Sequence, residues 1–449
     1  MASNIVKSSM RNVLTRSYAT QVASPYAKKT YALPEDQPVV TKLPNGTVVV
    51  GYDNNSPMSR VALFVRSGSR YENYDNRGVS HVLRLCAGQR TENFSAFGIT
   101  RTVQQMGGNI VCESGREFIS YEVNALRENA VDALSIIADI ATSPQFRPWE
   151  IKAQETRLLT ELNCRSPSIT VLDLLHGAAF RNTGLGNSLF IPDSRIGKIN
   201  TEQLQEFVKQ THTPSRIAIV GIGGVPLEKL IKLGKKMEAD PQSNFADTPS
   251  TYGGGEIRRE TGGSFTHVAL VGPGAKIDSE EAASFAIAQF ILGGPAGIKH
   301  GSASTSKIAS ILASAGGSGN ITAINASYTD GGLFGFLLVN EQPDKAGNVV
   351  KAIAKGVRTL KITDVDVKNA KAKAKAAILL GTEFVEGEFE DMGLQALFTG
   401  KYLTPAQVVE SIDKVTASSV QSVITNSAKG KLSMASLGNL RNVPYIDQL

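Results

Sequence analysis

The chain has 449 residues, of which 41% are hydrophobic. A single hydrophobic core stops growing at about 250 to 300 residues, so a chain of this length is expected to form two or more domains. The net charge is +6, but Lys and Arg are interspersed with acidic residues and no nucleic-acid motif accompanies them, which argues against nucleic-acid binding. Three scattered cysteines exclude a disulfide framework. No run of about 18 apolar residues occurs, so no membrane-spanning helix is expected.

The amino-terminal segment predicts import into mitochondria. The first 34 residues contain no Asp or Glu, and Lys7, Arg11 and Arg16 stand among serines and apolar residues. This composition is typical of a mitochondrial transit peptide. The segment R-S-Y-A at 16–19 predicts cleavage before Ala19, so residues 1–18 are the predicted transit peptide and the matrix is the predicted compartment. A disordered basic tail is the alternative.

The first half carries strand and helix signals in succession. Pro44, Asn45 and Gly46 predict a turn. From Val79 onward, apolar residues recur at i, i+3, i+4 and i+7, which predicts an amphipathic helix on which His81 and Leu85 share one face. The other predicted elements are strands at 47–52, 60–66 and 118–123, helices at 126–141 and 149–162, and a closing strand at 216–222.

The second half repeats this pattern. Val61-Ala62-Leu63 recurs as Val268-Ala269-Leu270, an offset of 207 residues (from 61 to 268). A strand at 333–340, helices at 349–360 and 365–380, and a closing strand at 431–437 are predicted to follow. Two copies of such a unit predict an α+β fold with homologous domains at 38–239 and 256–449. The segment 240–255, rich in Pro, Ser, Thr and Gly, is the predicted linker.

Residues 77–88 contain a damaged metal motif. In the inverted zinc motif H-x-x-E-H, two histidines on one helix face bind the ion and the glutamate activates a water molecule. Here His81 holds the first position, but Arg84 replaces the glutamate and Leu85 replaces the second histidine. The 207-residue offset places Ala288 at the equivalent position of the second half, so that half offers no ligand either. The sequence therefore predicts no metal ion, no cofactor and no catalytic residue.

The repeat and the damaged motif together resemble the pitrilysin-type inverted-zinc metallopeptidases, a family that includes the paired subunits of the mitochondrial processing peptidase. Several further segments are similar to the non-catalytic branch of this family, the core subunits of ubiquinol-cytochrome c reductase, which is respiratory complex III. These segments are L-P-N-G-T at 43–47, S-R-I-G-K at 194–198, G-G-E-I-R at 254–258, N-A-S-Y-T-D-G-G-L-F-G at 325–335 and G-N-L-R-N-V-P-Y-I-D-Q-L at 438–449.

The resemblance implies two pitrilysin-type domains, each a mainly antiparallel sheet packed with helices. It also implies a third zinc-ligand position at Glu161, 76 residues beyond the second histidine position (from 85 to 161). Because the other ligands are missing, Glu161 is interpreted as a structural, hydrogen-bonded glutamate. The degenerate positions are thus His81, Arg84, Leu85 and Glu161.

The function implied by the resemblance is that of a subunit needed for the assembly and stability of complex III. The implied partners are the related core protein 1, cytochrome b, cytochrome c1, the iron-sulfur protein and small subunits. The implied location is peripheral, on the matrix side of the mitochondrial inner membrane. Two alternatives remain open: a presequence-binding, non-catalytic subunit of the processing peptidase, and a working metallopeptidase with unusual ligands.

Other candidate sites have plainer interpretations. His176, His212, His267 and His300 have no partner at i+4 and are expected to be surface or hydrogen-bonded histidines. The glycine- and serine-rich segment 293–307 lacks the order of a phosphate-binding loop and is interpreted as a mobile loop. The lysine-rich segment 368–375 could bind cardiolipin or another anionic partner, but a solvated helix face is the favoured interpretation.

Overall fold

The computed structural model describes residues 37–237, 247–293 and 306–449. The predicted transit peptide, residues 240–246 of the predicted linker, and most of the glycine-rich segment with His300 lie outside the described residues. Over the described ranges, every helix is too short or too polar to cross a bilayer.

The first half is organised around a mixed sheet. Among the described residues its strands are β1 (Val39–Lys42), β2 (Val48–Tyr52), β3 (Met58–Val65), β4 (Asn109–Ser114), β5 (Ile119–Leu126) and β6 (Ile217–Ile222). The order across the sheet is β1-β2-β6-β3-β5-β4, and all neighbours are antiparallel except the parallel pair β2 and β6. The predicted strands at 47–52, 60–66, 118–123 and 216–222 are confirmed as β2, β3, β5 and β6. The edge strands β1 and β4 were not predicted.

The second half contains the same sheet without the first edge strand. Its described strands are β7 (Gly255–Glu260), β8 (Thr266–Gly274), β9 (Gly319–Ser327), β10 (Gly332–Asn340) and β11 (Ser433–Gly438). Their order, β7-β11-β8-β10-β9, matches β2-β6-β3-β5-β4 strand for strand, again with one parallel pair, β7 and β11. Val61 and Val268, which marked the repeat in the sequence, lie in the matching central strands β3 and β8. The duplicated α+β fold is therefore confirmed.

Helices connect these strands and pack on the sheets. Those of the first half are α1 (Val79–Cys86), α2 (Ala96–Gln105), α3 (Ala130–Thr142), α4 (Pro148–Ala153), α5 (Glu155–Asn163), α6 (Pro167–Phe180), α7 (Thr201–Thr211) and α8 (Leu227–Lys236). Those of the second half are α9 (Ala282–Leu292), α10 (Lys307–Ser314), α11 (Ala346–Thr359), α12 (Asp364–Thr382), α13 (Val385–Thr399), α14 (Pro405–Asp413) and α15 (Ala417–Lys429).

Two of the helix predictions for the first half need correction. The helix predicted from Leu126 begins only at Ala130, because Leu126 ends β5 and pairs with Met58. The single helix predicted at 149–162 is two helices, α4 and α5, that meet at Gln154. The N–H of Gln154 donates to the carbonyl of Ile151, three residues earlier, at 3.0 Å, so the chain tightens for one turn there.

Each half supplies a helix that covers the outer face of the other half's sheet. On α13, Phe389 and Met392 are buried against Val50 and Phe64 of the first sheet. In the reverse direction, α6 buries one face against β8, β10 and β11 of the second sheet. Residues 37–449 accordingly form one compact unit.

A buried polar seam also joins the two halves. Arg70 forms ion pairs with Glu117 of its own half and with Asp330 of the other. The N–H of Thr329 donates to Glu117 at 3.1 Å. Thr329 and Asp330 lie in a turn within the segment N-A-S-Y-T-D-G-G-L-F-G at 325–335. This segment therefore helps to join the two halves.

Candidate metal centre

The helix that carries the damaged motif is held firmly at its amino terminus. Gly78, which precedes α1, has φ 88°, and a Cβ there would lie 2.8 Å from the Cα of Ile191, so only glycine fits. The carboxylate of Glu72 accepts hydrogen bonds from the N–H groups of Gly78 at 2.8 Å and Ser80 at 3.0 Å. Burial raises the pKa of Glu72 to about 7, although these hydrogen bonds lower it. The result is a fixed starting point for α1, and hence for His81.

His81 is buried in this helix, with both ring nitrogens engaged. Its Nδ1 accepts the N–H of Ile191 at 3.2 Å, which leaves the proton on Nε2. Nε2 lies 3.1 Å from Oε2 of Glu161 and donates to it. The ring also meets Phe190 edge-on, with ring centroids 5.6 Å apart. Burial lowers the pKa of His81 and the hydrogen bond to Glu161 only partly offsets this, so the imidazole is neutral near pH 7.

Arg84 contacts the same carboxylate oxygen as His81. Its guanidinium forms an ion pair with Oε2 of Glu161, and Arg157, one turn before Glu161 on α5, lies 3.5 Å from Oε1. Burial raises the pKa of Glu161, but the hydrogen bonds from His81 and Arg84 outweigh it and hold that pKa below the usual range. Glu161 is therefore ionised and is shared by two guanidinium groups and one imidazole.

Leu85 lies in the hydrophobic core, with 1% of its surface exposed. It shares a helix face with His81, as the periodicity predicted, but offers no lone pair. His81 and Glu161 thus supply two ligands, one fewer than the three protein ligands of a catalytic zinc ion. Across residues 37–237, 247–293 and 306–449, no three His, Cys, Asp or Glu side chains come together in a way that could hold a metal ion. The side chains present do not fit the zinc ion that the motif implies.

The equivalent place in the second half is apolar. Ala288 lies within α9, fully buried among Phe285, Ile287 and Ile291. It makes no polar contact through its side chain. Both halves therefore lack a complete ligand set at the position of the motif within the described residues.

The other described histidines are mostly hydrogen-bonded, as expected. His176 lies 2.7 Å from the hydroxyl of Tyr328, and His212 lies 3.0 Å from the hydroxyl of Tyr121. Burial lowers the pKa of each of these imidazoles to about 3, with a smaller effect from a nearby arginine. His267 is partly exposed, and its buried Nδ1 has no partner among the described residues.

Sequence reasoning missed three contributors to the centre. Arg157 stands four residues before Glu161, a spacing at which side chains meet on a helix, and this signal could have identified it. The backbone N–H of Ile191 and the ring of Phe190 carry no such signal, since they reach His81 from a loop more than a hundred residues away.

Two models of known protein families match parts of this chain. Residues 47–193 match the family Insulinase (Peptidase family M16), and residues 198–374 match the Peptidase M16 inactive domain. The chain belongs to peptidase family M16, in agreement with its resemblance to the pitrilysin-type metallopeptidases. His81, Arg84, Leu85 and Glu161 all lie within the segment 47–193 that matches the first of these models.

Individual proteins are similar to this chain over most of its length. The chain is 36% identical to cytochrome b-c1 complex subunit 2, mitochondrial, of Homo sapiens, over 97% of this chain and 98% of that protein. It is also 36% identical to the protein of the same name from Rattus norvegicus, over 91% of each. Identity falls to 27% for the probable mitochondrial-processing peptidase subunit alpha-1 of Arabidopsis thaliana, over 91% of this chain and 83% of that protein.

Proposed function

We propose that this chain is a non-catalytic core subunit of the cytochrome b-c1 complex, respiratory complex III, of the subunit 2 type. Its task is to support the assembly and stability of the complex that transfers electrons from ubiquinol to cytochrome c. The observation that carries the proposal is the 36% identity to subunit 2 of the human complex over nearly the full length of both chains. The partial match to an inactive peptidase domain supports the same conclusion.

The centre around His81 supports a role without peptide cleavage. A zinc peptidase needs three protein ligands and a carboxylate that activates water. This chain retains His81 and Glu161, and Arg84 holds the oxygen that the ion would need. The degenerate positions His81, Arg84, Leu85 and Glu161 are thus proposed to be structural.

The proposed partners are core protein 1 of complex III, cytochrome b, cytochrome c1, the iron-sulfur protein and the small subunits. The chain would lie on the matrix side of the inner membrane as a peripheral subunit, after removal of residues 1–18. Domains at 38–239 and 256–449, joined by a linker at 240–255, are the proposed division of the mature chain. The haem and iron-sulfur partners would carry all electron transfer, and this chain would bind no cofactor.

Affinity purification from mitochondria tests this proposal. A tagged full-length chain extracted in mild detergent is expected to recover cytochromes b and c1, detected by their haem absorbance, together with core protein 1. Recovery of a soluble M16 peptidase partner without haem would instead support the second candidate, the non-catalytic subunit of the processing peptidase. That candidate is supported by lower identities, 27% to 28%, to processing peptidase subunits.

Metal analysis tests the absence of catalysis separately. The isolated chain is expected to contain far less than one zinc ion per molecule and to cleave no presequence peptide. Stoichiometric zinc with cleavage that a chelator abolishes would overturn the non-catalytic assignment, whichever complex the chain enters.

A further inference from the structure

A cleft lined by both charged and apolar residues lies between α12 and the junction of α14 with α15. Its volume is about 500 Å³, within the range of about 300 to 1,000 Å³ that is usual for ligand sites. Lys368, Lys371 and Lys375 line it from α12. Their spacing of i, i+3 and i+7 places all three on one helix face. The lysine-rich segment 368–375 is thus more than a solvated helix face, because three of its lysines face a common cleft.

The charges in the cleft leave an excess of positive charge. Asp364 and Asp413 are the acidic residues of the lining, against three lysines. Lys375 pairs with the carboxylate of Asp413 at 2.7 Å, and Lys371 donates to the backbone carbonyl of Asp413 at 3.0 Å. Each ammonium group has three N–H donors, so both retain donors for a ligand. Lys368 makes no ion pair or hydrogen bond within the described residues.

The far wall of the cleft adds donors of its own. Thr416 caps the amino terminus of α15, and Thr416 and Ala417 both line the cleft. A capping box occupies the N–H groups of Thr416 and Ser419, so the N–H groups of Ala417 and Ser418 are the ones without a partner within the helix, and the helix dipole makes that end partly positive. Beneath them, Val367 and Val415 are buried and hold the two walls in place.

We propose that this cleft binds a phosphate-bearing anion. Three ammonium groups on one wall and a helix amino terminus on the other suit a compact, multiply charged group. The phosphate could belong to a soluble organic phosphate or to the headgroup of an anionic lipid, since the recognising chemistry is the same. This site is separate from the centre around His81 and does not depend on the proposed function.

Binding to the purified full-length chain tests the soluble source. Inorganic pyrophosphate, followed by equilibrium dialysis at physiological ionic strength, is expected to bind saturably. The double variant Lys368→Gln, Lys371→Gln is expected to bind about tenfold more weakly, because two charge-assisted contacts are lost. Lys373→Gln is the matched control, since Lys373 lies on the same helix but does not line the cleft. An equal loss of affinity per charge in this control would overturn the proposal and leave only diffuse surface charge.

Vesicle flotation tests the lipid source with the same three proteins. Vesicles of phosphatidylcholine and phosphatidylglycerol in equal parts serve as the probe, and pure phosphatidylcholine vesicles are the control. Flotation that the double variant loses, and the Lys373→Gln chain keeps, assigns the site to a lipid headgroup. Pyrophosphate binding without flotation assigns it to a soluble phosphate. If neither probe binds the wild-type chain saturably, the proposal is wrong.

Discussion

At the scale of single residues, the centre around His81 is a cluster of charged and hydrogen-bonded side chains gathered on Glu161. The carboxylate of Glu161 faces His81 at 3.1 Å, and two ligands of a tetrahedral zinc ion would stand about 3.3 Å apart. The two side chains therefore stand at about the spacing of two ligands of one metal ion. Arg84 supplies a fixed positive charge next to that carboxylate, as a bound divalent ion would. The ion pair stabilises Glu161 without providing a Lewis acid.

Restoring the two missing side chains is expected to restore metal binding. The double variant Arg84→Glu, Leu85→His should bind about one zinc ion per chain, because three protein ligands then converge on one position. Before metal is added it should be less stable than the wild-type chain by about 2 kcal/mol, since a polar ring replaces the buried Leu85. Elemental analysis after dialysis measures the metal content, and thermal unfolding with and without zinc measures the coupled stability.

The single variant Arg84→Gln is the control for this experiment. It removes the guanidinium but adds no ligand, so no gain of zinc is expected. A double variant that folds but remains free of zinc would contradict the view that His81 and Glu161 are held at ligand spacing.

At the scale of elements, α13 is the helix of the second half that covers the outer face of the first sheet. Phe389 is 1% exposed and its ring lies 6.2 Å from that of Phe64 in β3. Phe384, just before α13, is 69% exposed. The same residue type therefore occurs in two opposite environments five positions apart.

Truncating these two phenylalanines should have very different effects. Phe389→Ala is expected to lower the free energy of unfolding by about 3 to 5 kcal/mol, because it leaves a cavity between α13 and the sheet. Phe384→Ala, the matched control, should change it by less than about 0.5 kcal/mol. Urea unfolding followed by circular dichroism measures both. Similar losses in the two variants would show that α13 does not pack on the first sheet.

At the scale of the whole molecule, each half needs a helix from the other half to cover the outer face of its sheet. The first sheet is covered by α13 and the second by α6. Without α13, the outer face of the first sheet would expose Val50, Ala62, Phe64 and Val220 to water. A contiguous apolar face of this kind promotes aggregation in an isolated domain. The polar seam around Arg70 would lose Asp330 as well. The duplicated halves are therefore expected to fold as one unit.

Separate expression of the halves tests this expectation. A fragment of residues 38–239 should aggregate or bind a hydrophobic dye strongly, because its outer sheet face is uncovered. Co-expression with residues 240–449 should recover a soluble complex that elutes at the size of the full chain. Size-exclusion chromatography and dye fluorescence provide the measurements. A first fragment that unfolds cooperatively as a soluble monomer would refute the expected dependence.

Much of the architecture could be predicted from local patterns. The strand at 47–52 and the helix around His81 depend on alternation and on i, i+4 spacing, which the sequence displays directly. The break at Gln154 and the edge strand β4 were missed, because each depends on hydrogen bonds that no periodicity marks. For the centre, the missing ligands could be predicted, but the contact from Ile191 could not.

The sequence by itself determined the duplication and predicted that zinc ligands are missing, since a repeat is a comparison of residues and a missing lone pair is a property of one side chain. Only the tertiary structure decided that Arg84 holds Glu161, that α6 and α13 cover each other's sheets, and that three lysines of α12 face one cleft. The physical reason is distance along the chain. Helix and strand signals arise between neighbouring residues, whereas these contacts join segments that only the packing of the sheets brings together.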